Sequence, residues 1–239
     1  MSKSIQVGID HILSRAFYYW RKTLLYQFLS SVIYFSILLI VILFFAEKYG
    51  ILDEYIRIIN TYTNDREQLQ EDLIKLSQTS SYLHLALIIV GVKAFLFPLQ
   101  IGLLHIYRKI DLNESPTISD LFIGYSGANF FIFVGYYLFW YMLFSYGAPF
   151  VFLSVLWVLL TLFSAPLIFF MKQPLFRTIG INLKVMKVYF IPVIVCLLLS
   201  LVFRYSGALV FGVGILLTYF FSTAVVYSLY QTLFKEVRE

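Results

Sequence analysis

Few residues in this sequence have the type and placement to do chemistry, and Lys93 stands out among them. It lies near the middle of an apolar run, 83–106, about 15 Å from the outer end of a helix at 1.5 Å per residue. A lysine near a bilayer centre costs about 2.5–3.5 kcal/mol on insertion scales, so something must offset it. All the acidic residues fall in loops and tails, so no spanning helix offers Lys93 a carboxylate. It must be hydrated, neutral, or paired with something else. Gln100 is seven residues on and shares its helix face, and Pro98 between them should kink the helix and free a carbonyl. Lys93 and Gln100 therefore define a candidate interior site for a lipid-like anionic amphiphile. The plainer alternative is a lysine kept neutral or snorkelled among Tyr and Gln side chains.

Other chemistry finds no motif. There is no His-x-x-His, His-Glu-x-x-His, Gly-x-Ser-x-Gly or Walker-type loop. His11, His84 and His105 lie far apart, and the single cysteine, Cys196, excludes an internal disulfide. Asp10, His11, Asp111 and Glu114 read as ordinary solvated residues. We expect no catalytic residue, no metal and no cofactor, and therefore a protein that is not an enzyme.

The elements that must position these residues follow from composition. Of 239 residues, 61% are hydrophobic and 13% charged, and mean hydropathy is +0.84. A soluble domain carries about 25% charged residues. Eighteen basic and 13 acidic side chains cannot cover a water-facing surface of this size, so the chain is read as an integral membrane protein. The expected fold is all-α: a six-helix transmembrane bundle with amphipathic helices at the cytoplasmic interface. Crossings are read at 24–46, 83–106, 127–145, 149–170, 188–204 and 207–233, each near the roughly 20 residues that span about 30 Å. Tight links at 145–149 and 204–207 make antiparallel hairpins. The first run is too long for a cleavable signal and has no small-x-small site.

Three amphipathic stretches lead into crossings: 5–23, 117–126 and 174–187. In the third, Phe176, Ile179, Leu183 and Met186 are apolar, while Arg177, Lys184 and Lys187 should contact anionic lipid headgroups. The net charge of +5 thus points to lipid and not to nucleic acid. Polar residues on the later spans, such as Ser154, Trp157, Thr161 and Ser164, read as helix–helix glue. Basic residues also set orientation. Twelve lie on one side, at 3, 15, 21, 22, 108, 109, 172, 177, 184, 187, 235 and 238, against five on the other, at 48, 57, 66, 75 and 204. Both termini are therefore expected in the cytoplasm, in agreement with an even number of crossings. The acidic loop 47–81 falls outside. Its periodicity suggests two short helices, the second opened by Asn64 and Glu67. They form either a cap over the bundle or a docking surface for a protein partner.

The order Trp20-Arg21-Lys22 into a span, Asp120-Leu121-Phe122-Ile123-Gly124-Tyr125 into a span, and Asn182-Leu183-Lys184 into a span resembles bacterial six-span proteins related to the membrane domain of glycerophosphoryl diester phosphodiesterases. The resemblance covers most of the chain and implies a multi-pass protein of the bacterial cytoplasmic (inner) membrane. The phosphodiesterase barrel is absent, so it implies no such activity. Two functions stand side by side: a non-enzymatic membrane scaffold or accessory subunit, and a transporter or binder of an anionic amphiphile around Lys93.

Overall fold

The computed structural model describes residues 8–62, 65–209 and 212–235. These are helical with no strand, as expected of continuous rather than alternating apolar runs. Five helical segments are long and apolar enough to cross a membrane: Leu24–Lys48, Ser80–Asp111, Ala128–Gly147, Val151–Met171 and Leu175–Leu209. Large apolar side chains such as Ile40, Phe44, Phe131, Phe152, Ile191 and Val202 stand half or more exposed along them. Water would not tolerate that much apolar surface, so the protein is membrane-embedded.

The chain forms two compact units, Ile33–Leu96 and the remainder. In the larger unit, two helices are buried almost all round: α6 (Pro98–Asp111) and α12 (Phe221–Lys235). Burial on nearly every face makes these two helices the core of that unit. Helix α1 (Ile9–Lys22) buries Ile12, Ala16 and Tyr19, one helical stripe, and packs on α12. Ser228 donates to the Ile12 carbonyl at 2.7 Å, and the Trp20 indole donates to the Leu217 carbonyl at 2.8 Å. A 3-10 helix (Ile118–Tyr125) lies against α6. Gly102 and Gly124 make that approach possible, because a Cβ on either would overlap the backbone carbonyl of Leu121 or Pro98.

Helices α7 (Ala128–Gly147) and α8 (Val151–Thr161) form a hairpin, followed by α9 (Ser164–Met171) and α10 (Leu175–Ser206). The hairpin is tied as expected by its polar stripe. The Trp140 indole donates to Thr161 Oγ1 at 2.8 Å, and the Trp157 indole donates to the Trp140 carbonyl at 3.1 Å. In the smaller unit α2 (Leu24–Lys48) ends and α3 (Ile51–Thr61), α4 (Arg66–Ser77) and α5 (Ser80–Leu96) follow. Their core is Ala46, Ile51, Ile58, Leu76 and Leu85.

Prolines break three of the apolar runs. Pro98 has no N–H for the Ala94 carbonyl, and the run expected at 83–106 divides into α5 and α6 at Phe97. Pro166 does the same to Leu162, separating α8 from α9, and the freed Phe163 N–H donates instead to Asn182 Oδ1 at 3.0 Å. Pro192 bends α10 at Tyr189, where φ/ψ leaves the helical region. The stretches 174–187 and 188–204, expected as separate helices, are two helical segments that meet at this kink within α10.

Other boundaries differ too. The 117–126 segment is a 3-10 helix. The run read as one crossing, 207–233, is a 3-10 turn (Gly207–Leu209), a short α11 (Ile215–Thr218) and α12 among the described residues. Asn64 lies outside the described residues, as does the start of the 5–23 stretch. Helix α4 is capped by Asp65, whose carboxylate accepts from the Glu67 and Gln68 N–H groups.

Candidate functional site

The densest polar geometry is in the larger unit, at the C-terminal end of α6. Asp111 is the last residue of that helix, and both its carboxylate oxygens are engaged. Tyr19 of α1 donates its hydroxyl to Oδ1 at 2.7 Å, and Tyr227 of α12 donates to Oδ2 at 2.8 Å. Arg15, one turn before Tyr19, reaches Tyr19 Oη at 2.6 Å and Asp111 Oδ1 at 3.5 Å. Gln231, one turn after Tyr227, donates to the Tyr227 hydroxyl at 2.7 Å. Burial, reinforced by the carboxylate, pushes the Tyr19 hydroxyl well above its usual range, so it stays a donor at neutral pH. Asp111 was expected to be solvated. It is exposed and is also the junction of three helices, because tyrosines on α1 and α12 converge on it.

A second carboxylate, Asp120, ties the 3-10 helix to α6. It accepts from Lys109 Nζ at 2.9 Å, from the Thr117 N–H at 2.7 Å and from the Thr117 hydroxyl at 2.9 Å. His105 Nε2 stands 3.6 Å from its other oxygen. Burial raises the pKa of this carboxyl, but Lys109 and the Thr117 bonds outweigh it and hold the group below the usual range. All three donors fall on Oδ2, and through them the carboxylate fastens the 3-10 helix to α6.

The expected site residues are placed as follows. Lys93 is half-buried in the last turn of α5, in the smaller unit. Gln100 is half-buried in the first turn of α6, in the larger unit. The expected break at Pro98 is present, between α5 and α6. Neither residue lines the cavities between α7, α8 and α10, beside the turn from α9 to α10, or in the smaller unit. Arg177, Lys184 and Lys187 share one exposed face of α10, opposite the buried Thr178, Asn182, Val185 and Met186.

Two features were not anticipated. Thr23, Gln27, Ser30 and Ser31 at the start of α2 are buried, and among the described residues Gln27 Oε1 and both serine hydroxyls lack a hydrogen-bond partner. A stripe at 23, 27, 30 and 31 has helical spacing and is visible in the sequence. The second feature is the set of cavities. One of about 490 Å³ is walled by apolar residues of α7, α8 and α10, including Val155, Leu159 and Leu198. Another, of about 440 Å³, adjoins the turn between α9 and α10. Among the described residues no group of His, Cys, Asp and Glu has the arrangement of a metal site.

Compared with protein-family models, curated proteins and solved structures, the chain matches none, so its own geometry is what bears on function.

Proposed function

We propose that the protein is a non-enzymatic scaffold or accessory subunit of the bacterial cytoplasmic membrane. In this reading it crosses the bilayer six times, with both termini in the cytoplasm and 47–81 outside. The observation that carries the proposal is α3. Its Ile51 and Ile58 sit in the core of the smaller unit, yet Tyr55 beside them and Ile56 on the other side are about half exposed. Around them run charges paired within their own helices, Glu54 with Arg57 and Asp72 with Lys75. An apolar centre with a charged rim is the composition of a protein–protein interface. The likeness to six-span proteins related to the phosphodiesterase membrane domain fits a bundle of this kind and adds no activity.

The test replaces Ile56 with Asp and purifies the protein from its native membrane. A partner present at fixed stoichiometry with the wild type and lost from a still-folded variant supports the reading. A wild-type protein that purifies alone, with a cellular phenotype indifferent to Ile56→Asp, sinks it.

A second reading, a transporter or binder of a lipid-like anionic amphiphile using an interior site around Lys93, is favoured by the break at Phe97. Pro98 has no N–H to give the Ala94 carbonyl, one residue from Lys93.

A further inference from the structure

Helix α3 carries a strip of large apolar side chains that the smaller unit leaves part-exposed: Tyr55 at 46%, Ile56 at 48% and Ile59 at 39%. Beside the strip lies a cavity of about 310 Å³. Leu52 and Tyr55 of α3 form one wall, and mostly apolar residues of α2, α4 and α5, among them Ala46, Leu76 and Ala86, form the rest. The volume is at the lower end of the roughly 300–1,000 Å³ of small-molecule sites and suits one large side chain. A large side chain seated in a pocket is the kind of anchor that carries most of the energy of a protein–protein interface.

The charges around the strip distinguish a protein occupant from the bilayer. Residues 47–81 hold seven acidic and four basic side chains. Two of the bases are already neutralised: Arg57 pairs with Glu54, and Lys75 lies 2.8 Å from Asp72 and 3.8 Å from Glu71. Asp65 is spent on capping α4. Glu47 and Asp53 are exposed and, among the described residues, have no basic side chain in ion-pair range. Asp53 stands three residues before Ile56 and is therefore its neighbour on the helix surface. A helix that lies on a bilayer borders its apolar face with Lys and Arg, which meet anionic headgroups. Here the border is an unpaired carboxylate in a segment of net negative charge. That arrangement repels an anionic bilayer and attracts a basic protein surface.

We propose that α3 docks a basic amphipathic segment of a partner protein. One large apolar side chain of that segment enters the cavity beside Tyr55. Its apolar face covers Ile56 and Ile59, and a Lys or Arg meets Asp53. This chemistry rests on the protein being a scaffold or accessory subunit and names what that subunit binds.

The test replaces Tyr55 with the photo-crosslinker p-benzoylphenylalanine in the full-length protein, irradiates the native membrane and sequences the crosslinked peptide. The crosslink should fall on one segment of another protein, with net positive charge and a large apolar residue. Asp53→Lys should lower the yield about fivefold, the weight of an exposed ion pair exchanged for a repulsion. Reversing the charge of the facing basic residue on the partner should restore it. Ala86→Phe should lower the yield by filling the cavity, with an unchanged unfolding midpoint as the control. Added salt should weaken the wild-type crosslink. A crosslinked segment that is acidic or uncharged overturns the proposal and leaves the scaffold reading standing. Indifference to both Asp53→Lys and Ala86→Phe does the same. Crosslinks to lipid alone, or to another copy of this chain, overturn it as well; if the protein also purifies without a partner, the scaffold reading falls with it.

Discussion

At the scale of single residues, the two aspartates near α6 dominate. Asp111 receives two tyrosine hydroxyls from helices distant in sequence, and hydrogen bonds to a charged group contribute about 1.5–3 kcal/mol each. Asp111→Ala should therefore destabilise by about 3 kcal/mol, with Tyr19→Phe costing about half of that, measured by thermal or denaturant unfolding in a mild detergent. Asp120 carries a pH signature. Its carboxyl titrates lower in the folded protein than in the unfolded chain, so its contribution is fully present above the ordinary carboxylate pKa of about 3.9. That contribution is lost as pH falls through the lower, folded value. The unfolding midpoint of the wild type should drop on acidification below about pH 4, and Asp120→Asn should start lower and show a shallower drop. Lys93 belongs at this scale too. Placed in the last turn of α5, it sits where a helix dipole favours a cation. Lys93→Met should leave the fold intact and stability equal or higher, since removing an intramembrane charge recovers about 2.5–3.5 kcal/mol of insertion cost. A large loss of stability in that variant would show that the lysine is structurally paired.

Among elements, the close seam between α6 and the 3-10 helix is the most demanding. It exists because two glycines let backbone meet backbone, with Gly102 under the Leu121 carbonyl and Gly124 against that of Pro98. An added methyl has nowhere to go unless the backbones part, and overpacking of this kind costs about 1–3 kcal/mol. Gly102→Ala should lower the unfolding midpoint, whereas Gly91→Ala, where a Cβ would meet nothing within 4 Å, should be neutral or slightly stabilising. Helix α10 offers a contrast. Its bases Arg177, Lys184 and Lys187 are exposed, and replacing all three with Gln should spare the fold. The lipid content after purification then reads their proposed role: each is worth about 1 kcal/mol beside anionic headgroups, so retention of anionic lipid should fall and should fall further in salt.

For the molecule as a whole, the open question is which segments lie on which side of the membrane. The proposed topology makes position 68 external and position 2 cytoplasmic. On a Cys196→Ala background, a cysteine replacing Gln68 should react with an impermeant thiol reagent in intact cells, and one replacing Ser2 should be protected until the cells are opened. The reverse labelling pattern would overturn the orientation. The described residues contain five helical segments suited to crossing, and the sixth proposed crossing must be assembled around α12. The buried, polar-flecked character of α12, with Ser228 and Gln231 inside, shows that its role is to hold α1 and α6.

Composition and run length are enough to set the solvent. Long apolar runs with few charges have only one stable environment, and their continuity permits only helices, because every backbone polar group must be satisfied within its own segment. The proline breaks were partly legible for the same local reason: a missing N–H acts within one turn, so Pro98 could be read as a kink. Tertiary structure alone decided the rest. Asp111 meets Tyr19 across 92 residues and Tyr227 across 116, and nothing local distinguishes it from a solvated loop acid. Whether a given apolar helix is central, as α6 and α12 are, or faces lipid, as α2 does over much of its length, depends on which neighbours cover it. Leucine and phenylalanine are equally at ease against protein and against acyl chains, so hydropathy sees the membrane but not the core. The cavity at the turn between α9 and α10 came from packing for that same reason, since it exists only where two spans and a turn fail to fill the space between them.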